Sequence, residues 1–595
     1  MSNSNQPKAG ARPPSPRSSV DEKHPVASDE VGPTTNVPFD DSAAGVAQAK
    51  ALRAVWGKSG KRILWFGLAL MLCTYALDYS TVYVYQTLAT SSFQQLSVLA
   101  GIQASVTIVS AVGKPPIAKL SDVLGRGETY LLITVIYIFS YILAAKSSSI
   151  GVYACSAVFY ALGNTGIQLL DQVIIADLST TRWRGFAIGF SYFPGLITPW
   201  ASAFIIQSVT DGIGWRWGIG MFAIILPVCA VFVIGPLLYY SLKAKKAGLI
   251  VTKRISLYEF CSLIDLGGII LLCGGFAMLL LPIALSATTS SKWKTPWVDA
   301  VLVLGVVFLF ILLPYEHFIA KHPVLPLRYF REMAIVSSCL LGFLDSICYS
   351  VTHTYLYTWA VVAHNYSPRN ATFLLNTNAA FQLLAGLVVG LLMAKTRRYK
   401  WLFWIGSSIR IIGYGIMMRL RGANNSTAEL FVVQAIQGIG SGVIETIIVV
   451  SAQIVVSHAE LAQISSLVLL ITFLGAAVGQ AIAGGIYTNS FPTELHKHLP
   501  DASADTISTL INSILGVLPD WGTPERIAMN AAYSDVMRQM TLVALVISAP
   551  TFVCVVFMPN NRLGDGQNLV EVDETKEAQQ QGGLARVDGG DGQHP

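Results

Sequence analysis

The sequence predicts an all-α, polytopic membrane protein. Of its 595 residues 53% are hydrophobic and only 12% charged, and the mean hydropathy is +0.55; soluble domains carry about twice that share of charge. Hydrocarbon about 30 Å thick needs roughly 20 apolar residues per helix, and about fourteen such stretches follow one another. They begin near Arg62, Leu96, Thr129, Gly151, Gly185, Trp217, Ser262, Pro296, Met333, Thr372, Lys400, Glu429, Ala462 and Thr541. An even number of crossings puts both termini on one side.

Lys and Arg in the short loops set the orientation. With cytosolic termini, Lys119, Arg126, Arg182, Arg184, Lys243, Lys245, Lys246, Lys253, Arg254, Lys321, Arg328, Arg331, Lys395, Arg397, Arg398 and Lys400 fall inside. The opposite loops hold mainly Lys146, Arg216, Lys292, Lys294, Arg369 and Arg421. That asymmetry leaves the glycosylation sequons at Asn370, Asn424 and Asn425 outside. The expected order is a disordered cytosolic tail over 1–60, a first bundle over 61–240, and a cytosolic linker with two additional spans over 241–330. Then come a second set of helices over 331–489, a long extracellular loop with short helices over 490–540, the last span over 541–559 and a disordered cytosolic tail over 560–595. The first tail is rich in Pro, Ser and charge, with no apolar stretch to serve as a cleavable signal, so the first span is expected to be the membrane address.

The net charge of +6 is mostly this orientation signal, and no basic cluster with interleaved aromatics points to nucleic acid. All eight cysteines (Cys73, Cys155, Cys229, Cys261, Cys273, Cys339, Cys348, Cys554) fall in or beside spans and read as small apolar packers, not as a disulfide or metal framework.

A charge at mid-bilayer costs roughly 2.5–3.5 kcal/mol on insertion scales, so each carboxylate there needs a partner, water or a function. Asn164, Gln168 and Asp171 recur at i, i+4 and i+7 of the fourth span and share one face. Similar polar stripes are Tyr75, Asp78, Tyr79 and Gln86 in the first span, Asp345, Tyr349, Thr352 and His353 in the ninth, and Gln434, Gln437, Ser441 and Glu445 in the twelfth. Amides and hydroxyls alone read equally well as interhelical hydrogen bonds. The carboxylates Asp78, Asp171 and Asp345 point instead to a transport path. Arg410 could neutralise Glu445, as a structural pair or as part of a gate; His353 reads as a satisfied interior histidine, and Lys114 could snorkel to the headgroups. Gly185/Gly189, Gly438/Gly442 and Gly475/Gly479 are GxxxG pairs that let helix backbones approach.

At the second inner turn, GKPPIAKLSDVLGRGETYLL (113–132) resembles the signature loop of the major facilitator superfamily: Asp122, Gly125 and Arg126 match its D-x-x-G-R centre, while Ala118 and Gly127 depart from it. The resemblance implies two pseudo-symmetric six-helix bundles plus two extra spans. It also implies a cytosolic gate built from Asp122, Gly125 and Arg126, which Arg182 and Arg184 are expected to join. Together with LDQVIIADLSTTRWRG (170–185), GWRWGIGMFAII (214–225), HPVLPLRYF (322–330) and DWGTPERIAMNAAYSDVMRQ (520–539), that loop is similar to the fungal siderophore–iron transporters, a fourteen-span branch.

The function this implies is secondary active import of ferric siderophore complexes by proton symport, with hydroxamates the favoured class. A siderophore fills iron's coordination sphere itself, so neither a cofactor nor a protein metal centre is expected. The path would use Asp78, Asp171, Gln168, Asn164, Tyr75, Tyr79, Asp345, Tyr349, His353, Gln437, Glu445 and Arg410, with Trp359 as a further ring face. The partners are the complex, protons and the bilayer, the chain acting as a monomer in the plasma membrane, with endosomal cycling left open. The rival is an exporter of drugs, toxins or thiol peptides, because LDYSTVYVYQ (77–86) is similar to a first-span element of fourteen-span exporters. GFAIGFSYFPGLITPWASAF (185–204) lacks their Gly-Pro-x-x-Gly-Gly antiport motif. A non-transporting sensor ranks third, and no enzyme is expected.

Overall fold

The computed structural model describes residues 58–178, 191–246, 261–262, 265–286, 296–319, 327–422, 425–456, 461–500, 503–512 and 518–561. The two tails lie almost wholly outside the described residues, as do Gly185 and Gly189. Every regular element among them is helical: α1 Lys58–Ser92, α2 Leu99–Leu124, α3 Arg126–Ala145, α4 Ile150–Leu178, α5 Pro194–Asp211, α6 Gly214–Gly220 and α7 Phe222–Lys246 in the first half. A hairpin of α8 Leu266–Ser286 and α9 Pro296–Phe318 follows. The second half holds α10 Met333–His353, α11 Leu356–His364, α12 Pro368–Thr396, α13 Lys400–Arg419, α14 Thr427–Gln453, α15 Leu461–His498, α16 Ala504–Asn512 and α17 Pro524–Phe557. The short α6 and α11 extend α7 and α10, and twelve helical stretches are long and apolar enough to cross a membrane. The helices α5 and α8 fall outside that twelve.

Packing repeats between the halves. In the first, α1 lies against α5 and α7, α3 against α4 and α7, and α2 against α4; in the second, α10 lies against α15 and α17, α13 against α14 and α17, and α12 against α14. Exchanging α1, α2, α3, α4, α5 and α7 for α10, α12, α13, α14, α15 and α17 maps each contact onto its counterpart. The halves meet through α2 on α15 and α5 on α12, a pair of contacts that the same exchange interconverts, and the α8–α9 hairpin leans on α2 and α15.

Glycine makes these contacts close. A Cβ on Gly442 of α14 would come within 2.9 Å of the Ala385 Cβ on α12, and one on Gly475 of α15 within 2.8 Å of the Phe343 Cα on α10. Between α2 and α3, Gly125 turns the chain at φ +112°, where a side chain would be strained.

One end of the bundle carries Arg126, Lys245, Lys395, Arg397 and Lys400, and is the basic end below. At the opposite end the halves are sealed. A single apolar core there joins Tyr85, Leu96, Leu99 and Tyr141 of the first half to Leu356, Trp359, Tyr487 and Phe491 of the second. Phe373 of α12 packs on Trp200 and Phe204 of α5, and the Asn376 amide donates to the Pro199 carbonyl at 3.3 Å. At the basic end the core around Tyr329, Tyr399, Phe403 and Ile464 draws all its described members from the second half.

Where a loop with short helices is expected over 490–540, the described residues hold the end of α15, the short α16 and the start of α17. Helix α15 runs through His498 and α17 starts at Pro524; at 1.5 Å per residue these helices, about 57 and 51 Å long, far exceed the hydrocarbon. The excess packs on itself, with Tyr487 donating to the Ile511 carbonyl at 2.8 Å and its hydroxyl 2.9 Å from that of Tyr533.

The glycine contacts are tested by Gly475→Leu. It overfills a backbone-lined gap and is expected to destabilise by about 1–3 kcal/mol, read as a lower thermal midpoint of the detergent-solubilised protein. Gly415→Ala, where nothing lies within 4 Å, should leave the midpoint unchanged or raise it; equal losses in both variants would contradict the packing account.

Candidate functional site

The polar stripes converge on the space between the halves. From α1, Tyr79 stands 59% exposed at mid-helix, stacked at 6.4 Å on Tyr75. Glu445 of α14, also exposed, lies near Tyr79 and near Tyr349 of α10. The Gln382 amide of α12 donates to Glu445 Oε2 at 2.5 Å.

Behind that surface the first half buries two carboxylates. Asp78 is 0% exposed. Its Oδ2 accepts from the hydroxyls of Tyr137 and Tyr160, the latter at 3.0 Å, and its Oδ1 has no partner. The Asn164 amide donates to the Tyr137 hydroxyl at 3.0 Å and accepts from Tyr75 at 3.4 Å, linking Asp78 to the stacked pair in the central space. Asp171 is 1% exposed; the Tyr130 hydroxyl donates to Oδ1 at 2.9 Å, and Oδ2 has no partner. Gln168 lies between Asn164 and Asp171 on α4, half-buried. Neither Asp78 nor Asp171 has a cationic partner among the described residues. The sequence reading missed the tyrosines that hold them, although Tyr130, Tyr137 and Tyr141 recur at seven and four residues along α3 and so share one face.

The second half compensates its buried charge. Arg410 of α13 donates from Nε to Asp345 Oδ1 at 2.7 Å and from Nη1 to Gln437 Oε1 at 2.9 Å, while Gln437 donates back to the Arg410 carbonyl at 3.3 Å. This corrects the expectation that Arg410 neutralises Glu445. The guanidinium bonds to Asp345 and Gln437, while Glu445, two turns beyond Gln437 on α14, accepts from Gln382. His353 is 2% exposed, with Nδ1 3.0 Å from the Tyr349 carbonyl and Nε2 3.0 Å from Gln434 Oε1, stacked on the Tyr349 ring at 4.1 Å. Trp359 is buried in the apolar seal, its indole donating to Ser534 at 3.3 Å, away from the central space. Nor does Lys114 reach for headgroups: its ammonium lies 4.4 Å from the Phe473 ring of α15, across the contact between the halves.

At the basic end Arg126 Nε meets Asp177 Oδ2 at 3.2 Å, and its Nη1 donates to Ser121 at 2.9 Å. Lys245 pairs with Glu128 at 3.2 Å. The Asp122 side chain, Arg182 and Arg184 lie outside the described residues. Of the sequons, Asn370 is exposed in the first turn of α12 and Asn425 accepts from the Gly422 N–H at 3.0 Å; Asn424 lies outside the described residues. Glu494, His498 and Asp535 bring ligand atoms within 4.8 Å of one another. Their carboxylates already engage Lys497, Gln539 and Arg538, so the cluster reads as a clasp between α15 and α17.

Residues 64–364 match the Major Facilitator Superfamily. The chain is 32% identical over 526 residues to siderophore iron transporter 1 of Schizosaccharomyces pombe, covering 88% of this chain and 86% of that one. It is also 32% identical to a low affinity heme transporter of the same organism, over 89% of this chain and 87% of that one. Among solved structures, a bacterial homologue of the human lysosomal transporter Spinster, in an inward-facing and unoccupied conformation, superposes with a TM-score of 0.57 at 16% identity, covering 86% of this chain and all of that one. A helical fold whose halves repeat each other's contacts, with relatives matched along most of its length, fixes the assignment: this chain belongs to the fungal siderophore–iron transporter family of the major facilitator superfamily.

Proposed function

We propose that this protein imports ferric siderophore complexes, hydroxamates above all, by proton symport and alternating access. The observation that carries the reading is the contrast between the halves. Asp345 is neutralised by Arg410 at 2.7 Å, whereas Asp78 and Asp171 are buried with tyrosine hydroxyls as their only described partners. A buried carboxylate with no fixed cation is free to change its protonation as its surroundings change, so each can bind a proton in one state of the cycle and release it in another. The relative named as a siderophore iron transporter supports the cargo. The exporter reading loses support from the missing antiport motif.

Under the charge rule the basic end is cytosolic, both termini are inside, and α5 and α8 complete fourteen spans. The sealed end is then extracellular, and the space holding Tyr79 and Glu445 opens toward the cytosol. Alternating access requires the apolar seal to part while the Arg126 and Asp177 end closes. Asp122, Arg182 and Arg184 belong to that closing end, and the protein works as a monomer at the plasma membrane. The membrane potential supplies about 2.3 kcal/mol per charge per 100 mV, so each proton that enters adds usable driving force.

Iron-starved cells lacking their own uptake system and expressing this chain are expected to accumulate a labelled ferric trihydroxamate and to lose that accumulation with an uncoupler. Net export would favour the rival reading. Uptake of haem in preference would move the cargo toward that of the 32%-identical haem transporter relative.

Asp171→Asn keeps the shape and the Tyr130 contact but removes titration. The variant is expected to reach the surface and bind the complex, yet fail to concentrate it. Retained uncoupler-sensitive accumulation would make Asp171 a structural group.

Asp122→Asn is expected to slow transport while leaving surface amount and substrate binding intact, because ion pairs at the cytosolic end must break and reform as the halves rock. Unchanged uptake kinetics would remove it from the gate.

A further inference from the structure

We propose that protons reach Asp78 by a route of their own, through a water-holding cavity inside the first half, separate from the path taken by the substrate. The inference rests on the proton-coupled reading above.

A small cavity lies between α1, α3, α4 and α6, lined among others by Gln86, Ser140, Tyr141, Tyr153, Ser156 and Tyr160. It has room for about one water molecule. Its position follows from the chain. Gln86 is two turns beyond Asp78 on α1, Ser140 and Tyr141 are in the last two turns of α3, and Tyr153 and Ser156 are in the first two of α4. The cavity therefore sits between Asp78 and the sealed end, on the far side of Asp78 from the central space. Its wall is mixed: Val82, Ala144, Ala157 and Ile219 line it as well, beside hydroxyls that can hold a water. The Tyr141 hydroxyl is fully buried without a hydrogen-bond partner, its ring stacked at 4.8 Å on that of Tyr137, which donates to Asp78. Asp78 does not itself line the cavity, but its Oδ1 is likewise buried and unpartnered. The hydroxyls of Ser140 and Ser156 donate to carbonyls of their own helices at 2.6 Å, leaving their lone pairs to accept. Buried polar groups of this kind are met by ordered water.

Tyr160 connects the cavity to the carboxylate, since it lines the one and donates to Asp78 Oδ2 at 3.0 Å. Transfer then needs no charged tyrosine to persist. A hydronium arriving at the cavity passes a proton to the Tyr160 oxygen as that hydroxyl passes its own to Asp78. The net change is one carboxylate and one hydronium to one carboxylic acid and one water, and Tyr160 ends as it began. On the other side of Asp78 the contacts are suited to reading the proton. Tyr137 donates to the same carboxylate, and Asn164, an amide that orients but does not relay, ties Tyr137 to Tyr75 in the central space. Protonating Asp78 weakens the acceptor to which Tyr137 donates, and the change passes through Asn164 to Tyr75 in the central space. The proton thus approaches Asp78 from the cavity side, while the apolar seal keeps the larger cargo out.

The test uses the purified full-length protein and follows the Asp78 carboxyl stretch by infrared spectroscopy after a rapid drop in pH, with Asp78→Asn identifying the band. Tyr160→Phe and Ser156→Val should each slow protonation of Asp78 by about tenfold, the rate cost of roughly one lost hydrogen bond in the relay. Ser156→Thr, which keeps the hydroxyl, should remain near the unsubstituted rate and guards against a packing artefact. An unchanged rate in the Tyr160→Phe, Ser156→Val double variant would overturn the route and have Asp78 protonated from the central space, with proton coupling intact. If Asp78→Asn removes no band, Asp78 does not titrate, and it is the proton-coupled reading at Asp78 that fails.

Discussion

Low dielectric around ionisable groups is the constraint on which this structure depends. A helix crossing hydrocarbon satisfies its own backbone, but a carboxylate placed on it has no water to fall back on. The chain meets that difficulty differently in its two halves. In the second, Arg410 and Gln437 close around Asp345 in a pair that is 2% exposed on the arginine side. Breaking such a pair from one side leaves an uncompensated charge, a cost of about 3–5 kcal/mol, so the arrangement reads as a fixed strut between α10, α13 and α14. In the first half, Asp78 and Asp171 meet only tyrosine hydroxyls. A hydroxyl stabilises a carboxylate less than a guanidinium does and can equally well stand beside the neutral acid.

That division of labour agrees with the packing. The contact pattern of α1 to α7 is repeated by α10 to α17, yet the polar contents are not repeated. A rigid, charge-compensated half working against a half whose charge state can change is one way for a pseudo-symmetric frame to become directional. The seal supplies the other element. Its core is apolar and shared between the halves, so it can part without stranding buried ion pairs, whereas the basic end holds pairs such as Arg126 with Asp177 and Lys245 with Glu128 that water can take over when they separate.

Much of this was legible in the sequence, and the reasons differ by feature. The helical class, the GxxxG contacts of Gly442 and Gly475, and the turn at Gly125 follow from composition and local sterics, which act over a few residues. The four polar stripes could be placed on helix faces because helical periodicity alone decides which residues share a face. Partner choice was not legible, since it depends on the level at which helices cross: Arg410, expected against Glu445, meets Asp345 and Gln437 instead. Tyrosines escaped notice for a different reason. In an apolar span they resemble ordinary ring packing, and only their spacing along α3 marks Tyr130, Tyr137 and Tyr141 as one face. The stretch 490–540 read as a loop with short helices because its polar residues fit no hydrocarbon; α16 is such a helix, while α15 and α17 continue past the bilayer and pack beside it.

The central claim is that a proton enters with each ferric complex. Proteoliposomes containing the purified protein and a trapped pH-sensitive dye measure this directly when labelled ferric trihydroxamate is added outside. The account predicts acidification of the lumen in step with uptake of the label, at a fixed ratio that an imposed inside-negative potential does not change. Uptake of the label with no change in lumenal pH, or alkalinisation in its place, would contradict it.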